Sequence, residues 1–201
     1  MGSKQLEQQW QSPDGSPHQS FATLKQAYET PLRAYHNLSH IAHCLDEFHT
    51  ARHLAANPEA LEWALWFHDA IYDSRAKDNE QRSAELASKA PAEAGLPSVF
   101  EELVTRLILA TKHTTPPAPG DDTLITDIDL AILGQPPNRF DEYEHQIREE
   151  YDWVDQAAYA RGRSDVLANF LASPTLYQTE WFRKKYEQQA RKNLAQALEK
   201  F

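Results

Sequence analysis

The sequence has 201 residues, of which 41% are hydrophobic and 25% charged, a composition typical of a globular protein with one substantial core. The formal net charge of −10 argues against extensive binding to nucleic-acid phosphates or anionic membrane surfaces, because both require clustered lysines and arginines. The single cysteine, Cys44, excludes an internal disulfide.

Residues 1–19 are polar and lack the basic-then-apolar order that marks a signal peptide. No apolar run approaches the ~20 residues that a membrane-spanning helix needs. We therefore expect a cytoplasmic protein without a membrane partner. Residues 1–19 are predicted to form a polar extension, and residues 20–201 a single domain.

Helix-starting signals divide the first half of this domain. They are Asn57-Pro58, Asp78-Asn79 and the capping box Ser98-x-x-Glu101, and Thr30-Pro31 opens the segment that holds Tyr35-His36-Asn37. The apolar stripe that follows Asn57-Pro58 continues at helical spacing through His68 to Ile71, which predicts that His68 lies on the buried face of that helix.

The second half begins with a proline-rich loop that contains Gly120 and leads into a short helix over residues 123–133, which Gly134 ends. Three longer amphipathic stripes follow, and no alternating pattern typical of a strand occurs. The sequence predicts an all-α fold, a single helical bundle of eight or nine helices.

Asp69 directly follows His68 on this predicted buried face. A buried carboxylate beside an imidazole is unfavourable by several kcal/mol, on the order of magnitude expected for buried charges, unless a hydrogen bond or a cation compensates it. The pair by itself fits a hydrogen-bonded structural pair. It also fits a divalent metal ion such as Mn, Fe, Co, Ni, Zn or Mg, which nitrogen and oxygen ligands suit.

The ordered series His40, then His68-Asp69, then an aspartate within residues 125–130 resembles the HD superfamily of metal-dependent phosphohydrolases. The similarity includes Tyr35-His36-Asn37 ahead of His40 and runs from about residue 20 to the C-terminus. It implies an HD-type helical domain and a bound divalent metal ion. It further implies a hydrolase that cleaves a phosphoester or pyrophosphate bond of a small phosphorylated molecule, such as a nucleotide.

The resemblance also implies the metal ligands His40, His68, Asp69 and an aspartate at position 127 or 129. Two residues apart on a helix, Asp127 and Asp129 point in different directions, and Asp129 shares its face with apolar residues of the core. We therefore take Asp129 as the fourth ligand and expect Asp127 at a helix start or behind the ligands.

The pattern Tyr-His-Asn-x-x-His is also that of the cyclic-nucleotide phosphodiesterases, in which the first histidine protonates the leaving oxygen. By position this makes His36 the candidate general acid, one helical turn from His40. Asp73 occupies an acidic position of the motif found in guanosine-tetraphosphate hydrolases and is the candidate for orienting or deprotonating the attacking water, although Tyr72 replaces the glutamate before it.

Arg33, Lys112 and His113 are the candidate ligands of the substrate phosphate. Lys112 and His113 at the end of a helix would equally complement the helix dipole. Two further functions stay open: a di-iron oxygenase, for which only His113 is a ready additional ligand, and a non-catalytic binding protein that a metal stabilises. We expect no long nucleic acid as a partner.

Overall fold

A computed structural model of the chain describes Leu6, residues 19–93 and residues 97–201. This part of the chain contains nine α-helices and no strand, which confirms the all-α prediction. The predicted polar extension lies outside the described residues, apart from Leu6 and Gln19. None of the described helices combines the length and the apolar character that crossing a membrane requires.

The helices follow one another with short connections. In chain order they are α1 (Gln19–Tyr28), α2 (Leu38–Ala51), α3 (Pro58–Phe67), α4 (Asn79–Glu93), α5 (Ser98–Ala110), α6 (Asp121–Asp129), α7 (Pro137–Glu150), α8 (Gln156–Ala172) and α9 (Glu180–Leu198). Two 3₁₀ turns, Arg52–Leu54 and Leu130–Gly134, directly follow α2 and α6. The helix predicted over residues 123–133 is therefore an α-helix that begins two residues earlier and ends in a 3₁₀ turn.

The chain divides into two compact units, Met1–Thr126 and Asp127–Phe201, and the division falls within α6. In the first unit, α3 packs against α2 and α5, and α5 packs against α4. Fully buried apolar side chains at helical spacing fill this unit: Ile41, Leu45 and Phe48 on α2, and Leu61, Leu65 and Trp66 on α3. Each such burial contributes roughly 1.5–3 kcal/mol to folding.

A buried carboxylate far along the chain satisfies the backbone at the start of α3. Asp121 on α6 accepts the N–H groups of Ala56 and Asn57, each at 2.8 Å. Helix starts leave such donors without partners inside the helix, so a side chain from elsewhere must supply acceptors. Asp121 thereby fixes the direction from which α3 approaches the core of the first unit.

In the second unit, α9 packs against α8 and against the 3₁₀ turn that ends at Gly134. A β-carbon at Gly134 would lie 2.5 Å from Cβ of Tyr186 on α9, so only glycine allows this approach. The buried amide of Asn193 donates to the carbonyls of Leu133 and Gln135, both at 2.8 Å. The same contact therefore combines close packing with hydrogen bonds.

Candidate metal centre

The position where α3 ends determines how His68 and Asp69 are presented. The apolar stripe predicts a helix that continues to Ile71, and this is wrong, because α3 ends at Phe67. The N–H of His68 still donates to the carbonyl of Ala64 at 2.9 Å, but the N–H of Ala70 donates to that of Phe67, a tighter turn. His68 and Asp69 therefore occupy a turn, in which two adjacent side chains can face one point.

Three of the four predicted ligands lie side by side in the first unit. Nε2 of His40 lies 3.1 Å from Nε2 of His68, and Oδ2 of Asp69 lies 3.3 Å from the first nitrogen and 3.2 Å from the second. The two imidazoles are buried and the Asp69 side chain is only 15% exposed. The three atoms form a nearly equilateral triangle closed off from most solvent.

The size of this triangle fits a divalent metal ion. Nitrogen and oxygen ligands lie roughly 2.0–2.2 Å from Zn²⁺, so neighbouring ligand atoms are about 3.0 Å apart in an octahedral shell and about 3.4 Å apart in a tetrahedral one. The observed separations of 3.1–3.3 Å lie between these values. The residues present therefore suit a first-row divalent ion in both donor type and spacing.

The protonation of His68 supports the same conclusion. Its Nδ1 lies 2.9 Å from the carbonyl oxygen of Leu65, which can only accept, so Nδ1 carries a proton. In the neutral ring the lone pair of Nε2 then faces the carboxylate oxygen of Asp69. Two electron-rich atoms this close require a proton or a cation between them. A histidine that binds a metal through one ring nitrogen usually donates a hydrogen bond from the other nitrogen to a backbone carbonyl or a carboxylate.

The carboxyl group of Asp69 is ionised. Burial raises the pKa of this group, and the positive charges that His68 and His36 carry when protonated, with hydrogen bonds from His40 and His68 in that state, lower it by more. The pKa therefore lies well below its ordinary value. An ionised carboxylate beside two imidazoles is the state in which these residues can bind a cation.

Cys44 is a fourth side chain at this centre, and the sequence analysis missed it. It lies one helical turn after His40 on α2, fully buried, with Sγ 3.7 Å from Nε2 of His40. The possible ligand atoms of His40, Cys44 and His68 all lie within 4.8 Å of one another. Its spacing of four residues from His40 is the signal that could have revealed it, because residues i and i+4 share a helix face.

His36 lies beside the ligands, although not by the route that the sequence predicted. It precedes α2, whose N-cap is Asn37, so His36 and His40 do not share one helix. Its ring stacks on the ring of Tyr72 with centroids 4.0 Å apart and lies 5.9 Å from the ring of His40. A half-buried imidazole is thus held next to the candidate ligands.

Arg33 is buried, and its guanidinium contacts the backbone. Nη1 donates to the carbonyls of His36 at 3.2 Å and Asp69 at 2.6 Å, and Nη2 donates to the carbonyl of Ala70 at 2.9 Å. These carbonyls belong to the turn that carries His68 and Asp69 and to the segment that carries His36. The predicted phosphate ligand is therefore already engaged in the framework of the site.

The other predicted substrate and catalytic residues are exposed. The carboxylate of Asp73 accepts the N–H of Arg75 at 2.9 Å, within the loop between α3 and α4. Lys112 and His113 follow the end of α5, and His113 has a φ of 52°, in the left-handed region. Hydrogen bonds thus assign Asp73 a place in a local turn, and the roles of all three in catalysis stay predictions.

The two aspartates of α6 that follow Thr126 have different surroundings within the second unit. Asp127 is buried, and its carboxylate accepts the N–H groups of Gln178 and Thr179 and the hydroxyl of Thr179, at 2.6–2.8 Å. Asp127 itself lies near the end of α6, and not at a helix start, but its carboxylate accepts donors just before α9, which begins at Glu180. Asp129 is the last residue of α6 and is partly exposed; its role as a metal ligand stays a prediction.

A buried ionic cluster lies in the second unit. The side chain of Arg163 is only 10% exposed and donates to the carboxylate of Glu144 and to the hydroxyl of Tyr143. Burial first, and then the charges of Glu144 and Asp129, raise the pKa of Tyr143 against the lowering effect of Arg163. Glu144 lies on α7 and Arg163 on α8, so the spacing of residues within one helix does not predict this ion pair.

A scan of protein-family models, a search of curated proteins and a search of solved structures each return no match for the chain.

Proposed function

We propose that the chain is a metal-dependent phosphohydrolase that cleaves a phosphoester or pyrophosphate bond in a small phosphorylated molecule, such as a nucleotide. The observation that carries this proposal is the buried triangle of His40, His68 and Asp69, with sides of 3.1–3.3 Å. Its donor set and spacing suit a divalent ion, and its order along the chain is that of the HD-type hydrolases.

His40, His68 and Asp69 would hold the ion, and Cys44 and Asp129 are candidates for a further ligand. A divalent ion at such a site supplies positive charge that lowers the pKa of water and polarises a phosphoryl oxygen. Asp69 would contribute an ionised carboxylate, and His68 would present Nε2 to the ion because its Nδ1 donates to the carbonyl of Leu65.

His36 would donate a proton to the leaving oxygen. Its ring is half-buried and stacks on Tyr72, so it has a defined orientation next to the ligands. A histidine side chain in this place can donate a proton to the leaving oxygen as the bond to phosphorus breaks. Lys112 and His113 are proposed to attract the phosphate, and Asp73 to orient water.

The charge of the chain restricts the substrate to small molecules. A net charge of −10 repels polyanions that must contact a wide surface, whereas a small phosphate need only meet the local positive charge at the centre. This favours a nucleotide or a phosphorylated metabolite over a long nucleic acid.

The test is a screen of nucleotides and phosphorylated metabolites with the full chain, supplemented in turn with Mn²⁺, Co²⁺, Ni²⁺, Zn²⁺ and Mg²⁺. We expect metal-dependent phosphate release that falls by at least about 10³-fold in His68→Ala, in line with losses on removing essential catalytic groups. His49→Ala is the matched control, because His49 is an exposed histidine on the same helix as His40.

Three results would contradict the proposal. Equal activity of His68→Ala and the unchanged chain would mean that any observed hydrolysis arises elsewhere. Metal binding without turnover of any phosphorylated compound would favour a non-catalytic protein that the metal stabilises. Two iron ions per chain would favour the oxygenase.

A further inference from the structure

Arg33 joins two segments that carry functional residues. Its Nη1 donates to the carbonyl of His36 and to that of Asp69, so one nitrogen bridges residues that are 33 positions apart in the chain. Its Nη2 donates to the carbonyl of Ala70, the next residue. The guanidinium therefore holds two consecutive carbonyls of the turn after α3 and ties that turn to the segment before α2.

Aromatic rings surround the same guanidinium. Its central carbon lies 5.2 Å from the centre of the Tyr28 ring and 5.8 Å from that of Tyr72. Tyr28 also donates its hydroxyl to the carbonyl of Trp66 at 2.8 Å, near the end of α3, and Tyr72 stacks on His36. These contacts stabilise a positive charge and fix its orientation within the framework of the site.

The burial of Arg33 and the direction of its N–H groups indicate what its guanidinium does. Arg33 is 9% exposed, and the N–H groups described above point at backbone oxygens of the site. A phosphate ligand needs those groups to point at the substrate. The planar guanidinium of arginine can donate to two adjacent carbonyls at once. The ammonium of lysine cannot replace it, because it is a compact point charge.

We propose that Arg33 is a positioning residue, which holds Asp69 and His36 in the geometry that metal binding and proton transfer require, and that it is not a phosphate ligand. The inference rests on the proposed function for the roles of Asp69 and His36. The bridge itself is a property of the backbone and can be tested without activity.

The first experiment measures Co²⁺ binding to the full chain by calorimetry and by visible absorption, for the unchanged protein, Arg33→Lys and Arg33→Gln. We expect Co²⁺ affinity to fall about 10- to 100-fold in both variants, the loss typical of removing a group that orients a metal ligand. The Co²⁺ absorption bands should also shift, because the ligand geometry relaxes. Denaturant unfolding establishes that each variant is folded.

Arg52→Lys is the matched control. Arg52 forms an ion pair with Glu62 at 2.7 Å, and its side chain is 41% exposed. Its Co²⁺ affinity should stay within about twofold of the unchanged protein, because exposed ion pairs contribute little. Affinity in Arg33→Lys equal to that of this control would overturn the proposal.

The second experiment distinguishes failure of this inference from failure of the proposed function. Hydrogen exchange of the metal-free chain should accelerate over residues 68–72 in Arg33→Lys and stay unchanged over α9. If the unchanged protein binds no Co²⁺, the proposed function fails, and exchange alone decides whether Arg33 positions the turn. Unchanged exchange, or weaker binding of inorganic phosphate with unchanged Co²⁺ affinity, would contradict the positioning role.

Discussion

Asp69 in the first unit and Asp127 in the second are both shielded aspartates, one in a turn and one near the end of α6, and their neighbours differ. Asp127 accepts two backbone N–H groups and a hydroxyl, donors that leave the carboxylate satisfied. Asp69 faces two imidazole nitrogens, of which that of His68 carries a lone pair in the neutral ring.

The partners of a buried carboxylate therefore indicate whether it stabilises the fold or can bind a cation. A carboxylate that backbone donors surround stabilises the fold, because its charge compensates the free N–H groups of a helix start. A carboxylate that faces further electron-rich atoms is stable only with a proton or a cation among them. Substitution of Asp69 should therefore mainly reduce activity, whereas substitution of Asp127 should mainly reduce the free energy of unfolding.

The largest expected effect is on catalysis by Asp69→Asn. The amide keeps the shape of the side chain but removes the negative charge from the centre, so metal-dependent phosphate release should fall by at least about 10³-fold. Steady-state kinetics on the best substrate of the screen measures this. An activity within tenfold of the unchanged protein would break the contrast between the two aspartates.

Asp127→Ala should instead destabilise the fold. Loss of the hydrogen bonds to Gln178 and Thr179 leaves partly buried donors without an acceptor, and we expect the free energy of unfolding to fall by about 1–3 kcal/mol. Urea denaturation followed by circular dichroism measures it. Thr179→Val, which removes only the hydroxyl, should cost about 1 kcal/mol. Asp127→Ala with unchanged stability would refute the structural role.

Much of the fold could be predicted from local signals. Proline, capping residues and apolar spacing correctly place the starts of α3, α4 and α5 at or within a residue of Asn57-Pro58, Asp78-Asn79 and Ser98. These signals act within one or two turns of the chain, which is why the sequence contains them.

The end of α3 could not be predicted, because the apolar spacing continues to Ile71 while the helix stops at Phe67. The hydrogen bonds that fix this turn come from a residue distant in the chain, because Arg33 donates to the carbonyls of Asp69 and Ala70. Such partners depend on tertiary packing, which overrides local periodicity. The proximity of His40, His68 and Asp69 was expected from the resemblance that their order carries, and the spacing of Cys44 from His40 could have indicated a shared helix face, whereas the support of Arg33 left no local signal.

Gly134→Ala tests the close packing between the 3₁₀ turn and α9 in the second unit. The new methyl group would lie 2.5 Å from Cβ of Tyr186, so the 3₁₀ turn or α9 must shift. We expect a loss of about 1–3 kcal/mol in the free energy of unfolding, the range for overpacked cores. Thermal unfolding checks this, with Gly162→Ala as a control, because a β-carbon there meets no atom within 4 Å. Equal melting temperatures of the two variants would contradict the packing.

The smallest effect concerns Tyr159, whose buried hydroxyl has no hydrogen-bond partner among the described residues. Burial raises the pKa of Tyr159 to about 12. Its neutral form therefore favours the folded state, a contribution that is fully present below about pH 10 and is lost as the pH rises towards 12.

Tyr159→Phe should remove that loss and raise stability at neutral pH by up to about 1 kcal/mol. Melting temperatures from pH 7 to pH 11 measure both effects, with Tyr151→Phe as the matched control. A variant that melts below the unchanged protein at every pH would show that the hydroxyl is satisfied.

The most direct measurement is the metal content of the purified full chain after supplementation with divalent metals. With His40, His68 and Asp69 as ligands, the chain should retain about one divalent ion, and a His40→Ala, His68→Ala double variant should retain none. A metal-free protein, or equal metal content in the double variant, would contradict the metal centre and the hydrolase built upon it.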